Sequence, residues 1–251
     1  MKQFGILKLM ICIAVLCSCN SNDVNKKTIN LETSIKETSV DTLTAHLKPF
    51  KSELPTIGLL IYSGVLQTEI TAPSDVFAKP SQGGEQLFNV ITIAQTENPI
   101  TTEEGLRILP DYTFDNAPKL TVLIVPSGYD MYSQIRNDKL LDFIRAKNKE
   151  TKYIVSNCGG AQLIGKSGIA DGKKIVTWIG GGEQLQKDYP NLLVQDDSKV
   201  SYVEDGKLLS SNGNLVSYIS ALKLVEKMSS PEHRKYVESY LFLDRLQNWK
   251  E

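Results

Sequence analysis

Four short apolar runs constrain this chain more than anything else in it. IGLLIY (57–62), FNVITIA (88–94), TVLIV (121–125) and KYIVS (152–156) are too continuously apolar for strands with one wet face. Strands of a parallel sheet have this composition, because their crossover helices cover both faces. Helical patterns lie between and after the runs. DKLLDFIRAKNK (138–149) gathers its apolar residues on one side, and LVSYISALKLVEKM (215–228) spaces Leu215, Ile219, Leu222 and Val225 along one predicted face. Ser230 and Pro231 open a last helix as cap and first helical residue. SYVEDGKLLSS (201–211), with Asp205-Gly206 inside it, reads as a β-hairpin. The alternation predicts an α/β fold, a doubly wound and mostly parallel sheet sandwiched by helices.

The predicted domain starts at Pro55. Ahead of it, MKQFGILKLMICIAVLCSC has early lysines, an apolar run from Met10 to Leu16 and small residues at its end. That is a secretory signal pattern, too short for a comfortable membrane span. Leu16-Cys17-Ser18-Cys19 resembles the bacterial lipobox, which implies cleavage before Cys19 and a lipid on it. A plain signal peptide or an uncleaved anchor is the alternative. Residues 20–54 are rich in Ser, Thr, Asn, Lys and Glu and read as a disordered polar tether. The expected organisation is therefore a signal over 1–19, a tether over 20–54 and an α/β domain over 55–251. A membrane would be a partner through the lipid on Cys19. The expected location is the bacterial cell envelope, in the periplasm or at the cell surface.

Lysine and arginine number 28 against 29 acidic residues, so the chain lacks the basic footprint of a nucleic-acid binder. No His/Cys cluster has zinc spacing, and no Walker-type lysine follows Gly180-Gly181-Gly182, so neither a metal nor a cofactor is expected. If Cys12 and Cys17 leave with the signal and Cys19 is acylated, Cys158 is the one free thiol of the mature chain. It would have no disulfide partner in an oxidising compartment.

Cys158 stands in VSNCGGA, between the run KYIVS and the segment GGAQLIG. Ligands of open α/β sheets bind outside the carboxyl ends of the strands. A strand–turn–helix at that place lifts a side chain above the sheet, as in a nucleophile elbow. Gly159 and Gly160 would remove the Cβ atoms that block the turn and the close helix approach. Helix-start amides favour a thiolate, so a pKa below the free value of about 8.5 is expected. A buried structural cysteine is the competing reading, and spacing alone does not choose between them.

Three stretches in order, IGLLIYSGVLQTEITAPSDVF, PITTEEGLRILPDYTFDNAPKLTVLIVPSG and SNCGGAQLIGKSGIADGKKIVTW, resemble the DJ-one/PfpI (ThiJ) family of the class I glutamine amidotransferase-like superfamily. The nearest likeness is to the branch of isonitrile hydratases and AraC-type sensor domains, over Pro55 to about Met228. The resemblance implies that Cys158 is the elbow nucleophile and that Glu69, in QTEITAP, is the acid that hydrogen-bonds its sulfur. It implies that the amides of Gly128, in VPSG, and Gly159 form an oxyanion hole. It also implies a homodimer, since relatives are commonly dimers. There are departures. Many relatives have a histidine where this chain has Trp178, and the chain's two histidines, His46 and His233, are not near the elbow in sequence. Ser127 replaces the first glycine of the usual Pro-Gly-Gly, and SNGNLVSYIS (211–220) lacks the expected glycine-rich and acidic pattern.

Two readings follow. In the first, Cys158 adds to an electrophilic carbon of a small molecule, Glu69 shuttles the proton, and Gly128 and Gly159 hold the charge, with Ser127 and Trp178 as binding contacts. In the second, the same cysteine serves a small-ligand-binding or redox-sensing module without turnover. The missing histidine removes the general base that a protease or amidase needs. Transcription regulation is disfavoured, because only about twenty residues follow the domain's closing helix.

Overall fold

The chain is described by a computed structural model that covers residues 48–246. The signal, Cys19, His46 and most of the predicted tether lie outside the described residues. The elements in chain order are β1 (Thr56–Leu60), α1 (Gln67–Phe77), β2 (Asn89–Ala94), β3 (Ile100–Thr101), β4 (Arg107–Ile108), β5 (Tyr112–Thr113) and β6 (Val122–Val125). Then come α2 (Met131–Gln134), α3 (Asp138–Glu150), β7 (Tyr153–Asn157), α4 (Gly160–Ser167), β8 (Lys174–Ile175), α5 (Gly182–Asp188) and β9 (Leu193–Val194). The chain closes with β10 (Tyr202–Asp205), β11 (Leu208–Ser211), α6 (Val216–Met228), α7 (Pro231–Tyr240) and α8 (Leu243–Leu246).

Seven strands form the central sheet in the order β10-β11-β7-β6-β1-β2-β5. All neighbours are parallel except β10 and β11, which are the antiparallel hairpin expected around Asp205-Gly206. Gly206 turns it with φ +66°, a value that costs a residue with a Cβ about 1–2 kcal/mol.

The four apolar runs are β1, β2, β6 and β7, and the reason for their continuity is visible in the core. Successive residues of one strand enter opposite layers. Ile57 and Leu59 of β1, with Val122 and Ile124 of β6, pack with Phe77 of α1 and with Ala221, Leu224 and Val225 of α6. Leu60, Leu123, Val125 and Ile154 pack on the other face with Leu140 and Ile144 of α3 and Leu163 and Ile164 of α4. Each such side chain stabilises the fold by about 1.5–3 kcal/mol relative to exposure.

Two expectations change. The folded body begins before Pro55: Asn89 Nδ2 donates to the Lys51 carbonyl at 2.8 Å, and its Oδ1 accepts from the Lys51 N–H at 3.0 Å. The ring of Phe50 also meets Tyr112. The inner face of α6 is not the predicted one either. Leu222 and Val225 are buried, but Leu215 and Ile219 are 75% and 42% exposed. Ser217, Ser220, Ala221 and Leu224 turn inward instead, Ser220 Oγ reaching Asn157 Oδ1 beneath the Cys158 turn.

Candidate active site

β7 ends at Asn157 and α4 begins at Gly160. Cys158 sits between them with φ +52°, the left-handed region that a residue with a Cβ avoids. Packing on all sides holds it there. Its N–H donates to the Ser211 carbonyl at 2.9 Å, and its carbonyl accepts from Thr177 Oγ1 at 2.9 Å. Ser211 Oγ and Ser220 Oγ both donate to Asn157 Oδ1, at 2.8 and 3.3 Å. That buried cluster accounts for Ser220 on the inward face of α6.

The glycines of the turn have the role their position suggested. A Cβ on Gly160 would lie 2.3 Å from the Val125 carbonyl oxygen, and one on Gly159 would lie 2.6 Å from Ser127 Oγ. The helix can therefore sit directly on the end of β6.

Glu69 is on the first turn of α1 and fully buried. Its Oε2 accepts the Ser127 N–H at 2.6 Å and its Oε1 accepts the Asn214 N–H at 3.3 Å. The Cys158 thiol lies beside the Glu69 carboxylate, placed as a donor that favours its charged form. Gly213 stands between them. With φ +84°, its missing Cβ would fall 2.2 Å from Glu69 Oε1 and 2.3 Å from Cys158 Cβ. The stretch SNGN thus completes the site, although its sequence matched no expected pattern; the Asn-Gly pair is a turn signal and nothing more.

Burial pushes the Glu69 carboxyl up to about 7, against the pull of the Ser127 and Asn214 N–H groups. Cys158 goes the opposite way from expectation. Burial first, and the Glu69 charge second, push its thiol up to about 12, while the Gly159 N–H and the Ser127 hydroxyl pull it down. The helix-start amide is present, but desolvation outweighs it. Cys158 is only 9% exposed. Burial and the Glu69 charge both favour the uncharged thiol at neutral pH.

The other expected residues are placed as follows. Ser127 gives its N–H to Glu69, and its hydroxyl lies on the side of the Cys158 sulfur where it favours the thiolate. The Gly159 N–H also favours the charged form of that sulfur. The Gly128 N–H donates to Met131 Sδ at 3.2 Å. Gly128 must be glycine, since its Cβ would lie 2.6 Å from Tyr62 Cε2 and 2.9 Å from the Gly64 carbonyl oxygen. Trp178 is half-buried with its indole over Gly181, whose Cβ would fall 2.0 Å from the ring. It is Thr177, one residue earlier, that touches the elbow. His233 is buried on α7 beside Tyr236. Tyr62 was not singled out in the sequence. Its hydroxyl donates to the Pro126 carbonyl at 2.8 Å, and burial together with the charges of Glu69 and Cys158 raises its pKa well above the usual tyrosine range. Among the described residues no group of three or more His, Cys, Asp and Glu is arranged to hold a metal ion.

A mostly parallel sheet with helices on both faces, and a cysteine at the β7–α4 elbow, defines the flavodoxin-like class I glutamine amidotransferase-like fold. Residues 55–227 match the model of the DJ-1/PfpI family. The chain belongs to that family. An isonitrile hydratase from Pseudomonas putida is 28% identical over 186 residues, 74% of this chain and 77% of the relative. The protein dj-1beta of Drosophila melanogaster is 28% identical over 136 residues, 53% of this chain and 70% of the relative. Among solved structures, a ThiJ/PfpI family protein from Pseudomonas syringae superposes with a TM-score of 0.68 at 22% identity, covering 80% of this chain and 84% of that one. Drosophila melanogaster DJ-1beta superposes with a TM-score of 0.65 at 22% identity, covering 75% and 98%.

Proposed function

We propose that the chain acts on a small electrophilic molecule through Cys158, with Glu69 as its proton partner. The observation that carries this reading is the contact between a thiol and a carboxyl buried together at the mouth of a parallel sheet. In the step, the Cys158 sulfur forms a bond to an electrophilic carbon while the thiol proton moves to Glu69. At a carbonyl or nitrile carbon the π pair moves to the oxygen or nitrogen, which receives the proton from Glu69. An isonitrile carbon takes that proton itself, giving a thioimidate that water hydrolyses to a formamide and the free thiol. Generating the thiolate only as the bond forms avoids holding a free anion in a desolvated site. The likeness to an isonitrile hydratase supports isonitriles, beside carbonyl and nitrile compounds, as substrates to test.

The second reading is a sensor without turnover. It is favoured by the lack of a histidine among the described residues that touch the elbow. Here the sulfur attacks one oxygen of a peroxide, the O–O bond breaks, water leaves, and a sulfenic acid remains. Mass spectrometry of the protein before and after exposure to small electrophiles and to hydrogen peroxide separates the two, with Cys158→Ala as control. Transient adducts with product release support catalysis, and lasting oxidation without product supports sensing. Neither on Cys158 would end both readings.

The envelope location is part of this proposal and rests on residues 1–19 alone. A lipid on Cys19 would hold the domain to a membrane, each buried methylene contributing about 0.8 kcal/mol.

A further inference from the structure

The N–H of Gly128, expected to face a substrate oxygen, is occupied in this structure by a side chain of the chain itself. Met131 Sδ accepts it at 3.2 Å. The Tyr62 hydroxyl lies 3.6 Å from the same sulfur, and Met131 Cγ lies 3.5 Å from the place where a Gly159 Cβ would stand. The thioether therefore fills the corner between Tyr62, Gly128 and the start of α4.

The segment carrying Met131 is otherwise turned outward. α2 is a single turn, Met131 is its one buried residue, and Tyr129 and Tyr132 on either side are 81% and 68% exposed. Asp130 caps the turn by accepting the Ser133 N–H at 3.0 Å, a contact that does not involve the Met131 side chain. Methionine has three soft torsions and a weakly accepting sulfur. A thioether is a poor match for a backbone N–H compared with a carbonyl oxygen or a developing oxyanion. Its place is therefore easily taken by a better acceptor and not by an apolar group.

We propose that Met131 is a displaceable thioether plug on the Gly128 amide and thereby a specificity-determining residue. It admits small molecules that bring a hydrogen-bond acceptor next to their electrophilic carbon, and it excludes apolar or bulky ones. This inference rests on the reading of Cys158 as the nucleophile and of Gly128 as the oxyanion donor. Met131 touches neither proton nor reacting carbon. It sets which groups reach the amide.

Alkylation of Cys158 tests this without any turnover, using iodoacetamide, which carries a carbonyl acceptor, N-phenyl iodoacetamide, which is bulky, and iodoethane, which has no acceptor. Met131→Leu keeps the volume but removes the sulfur acceptor. It is expected to move the Gly128 amide resonance in a proton–nitrogen NMR spectrum and to raise the iodoacetamide rate relative to iodoethane. Met131→Ala is expected to raise the N-phenyl rate relative to iodoacetamide about tenfold, the scale on which pocket size discriminates. An unmoved Gly128 resonance in Met131→Leu, or unchanged probe ratios in both variants, would overturn the proposal. If instead no probe modified Cys158 in any form of the protein, the nucleophile reading would fail while the NMR arm still reported on the plug.

Discussion

Glu69 Oε1 and Cys158 Cβ lie 2.2 and 2.3 Å from one point, the place where a side chain on residue 213 would begin. The two residues come from α1 and from the β7–α4 turn, 89 positions apart in the chain. A glycine with a positive φ lets them meet. The proton chemistry of the site depends on that meeting, since each group shifts the other's affinity for a proton.

The pH dependence of Cys158 alkylation should show it. The iodoacetamide rate is expected to rise with ionisation of Glu69 near pH 7, because the carboxylate then accepts the thiol proton, and to rise again only in strong alkali. In Glu69→Gln the step near 7 should vanish. The alkaline rise should move to lower pH, because the neighbouring charge no longer opposes the thiolate. A wild-type rate already level below pH 6 would show a preformed thiolate and contradict the buried-thiol account.

Glu69 should also tie stability to pH. Its carboxyl is raised in the folded state to about 7, so between its ordinary value and about 7 the native protein binds more protons than the unfolded chain. The contribution is complete below the ordinary carboxyl range and is lost as pH rises through about 7. It amounts to roughly 3 kcal/mol. Thermal melts at pH 5 and pH 8 should differ more for the wild type than for Glu69→Gln. Parallel melting curves would place the pH dependence elsewhere.

Gly213→Ala is expected to cost about 2–5 kcal/mol, from a left-handed backbone combined with overpacking against Glu69 and Cys158. Gly84→Ala is the control. Its φ of +86° is nearly the same, but nothing lies within 4 Å of its Cβ, so only the backbone cost of about 1–2 kcal/mol applies. Equal losses in urea denaturation would mean that Gly213 is needed for its φ alone.

Cys158→Gly should be more stable than Cys158→Ala by about 1 kcal/mol, since glycine accepts a φ of +52° freely. Both should lose alkylation. The opposite order would indicate that the turn relaxes when the sulfur is removed.

Cys19→Ala should release the protein from the membrane fraction of a bacterial host. Retention after this change would refute a lipid on Cys19.

The sheet was legible because burial on both faces leaves a mark that survives in one dimension. A strand that packs helices on either side must be largely apolar, and β1, β2, β6 and β7 are, with polar residues mainly at their ends. The elbow was legible for a related reason. A helix pressed onto a strand end excludes Cβ atoms, and Gly159 and Gly160 record that exclusion directly. Family resemblance added Glu69, Gly128 and the role of Ser127 as a site residue, none of which spacing could have supplied. What only the tertiary structure decided is what surrounds the sulfur. Desolvation is a property of the whole fold, and it outweighs the local helix-start amide that pointed to an acidic thiol. The contacts of Gly213 with Glu69 and of Met131 with Gly128 join segments brought together by packing. A turn glycine and an ordinary methionine look in the sequence as they would anywhere. α6 makes the same point, because its periodicity named Leu215 and Ile219, while Ser217 and Ser220 turn inward instead, Ser220 bonding Asn157 beneath Cys158.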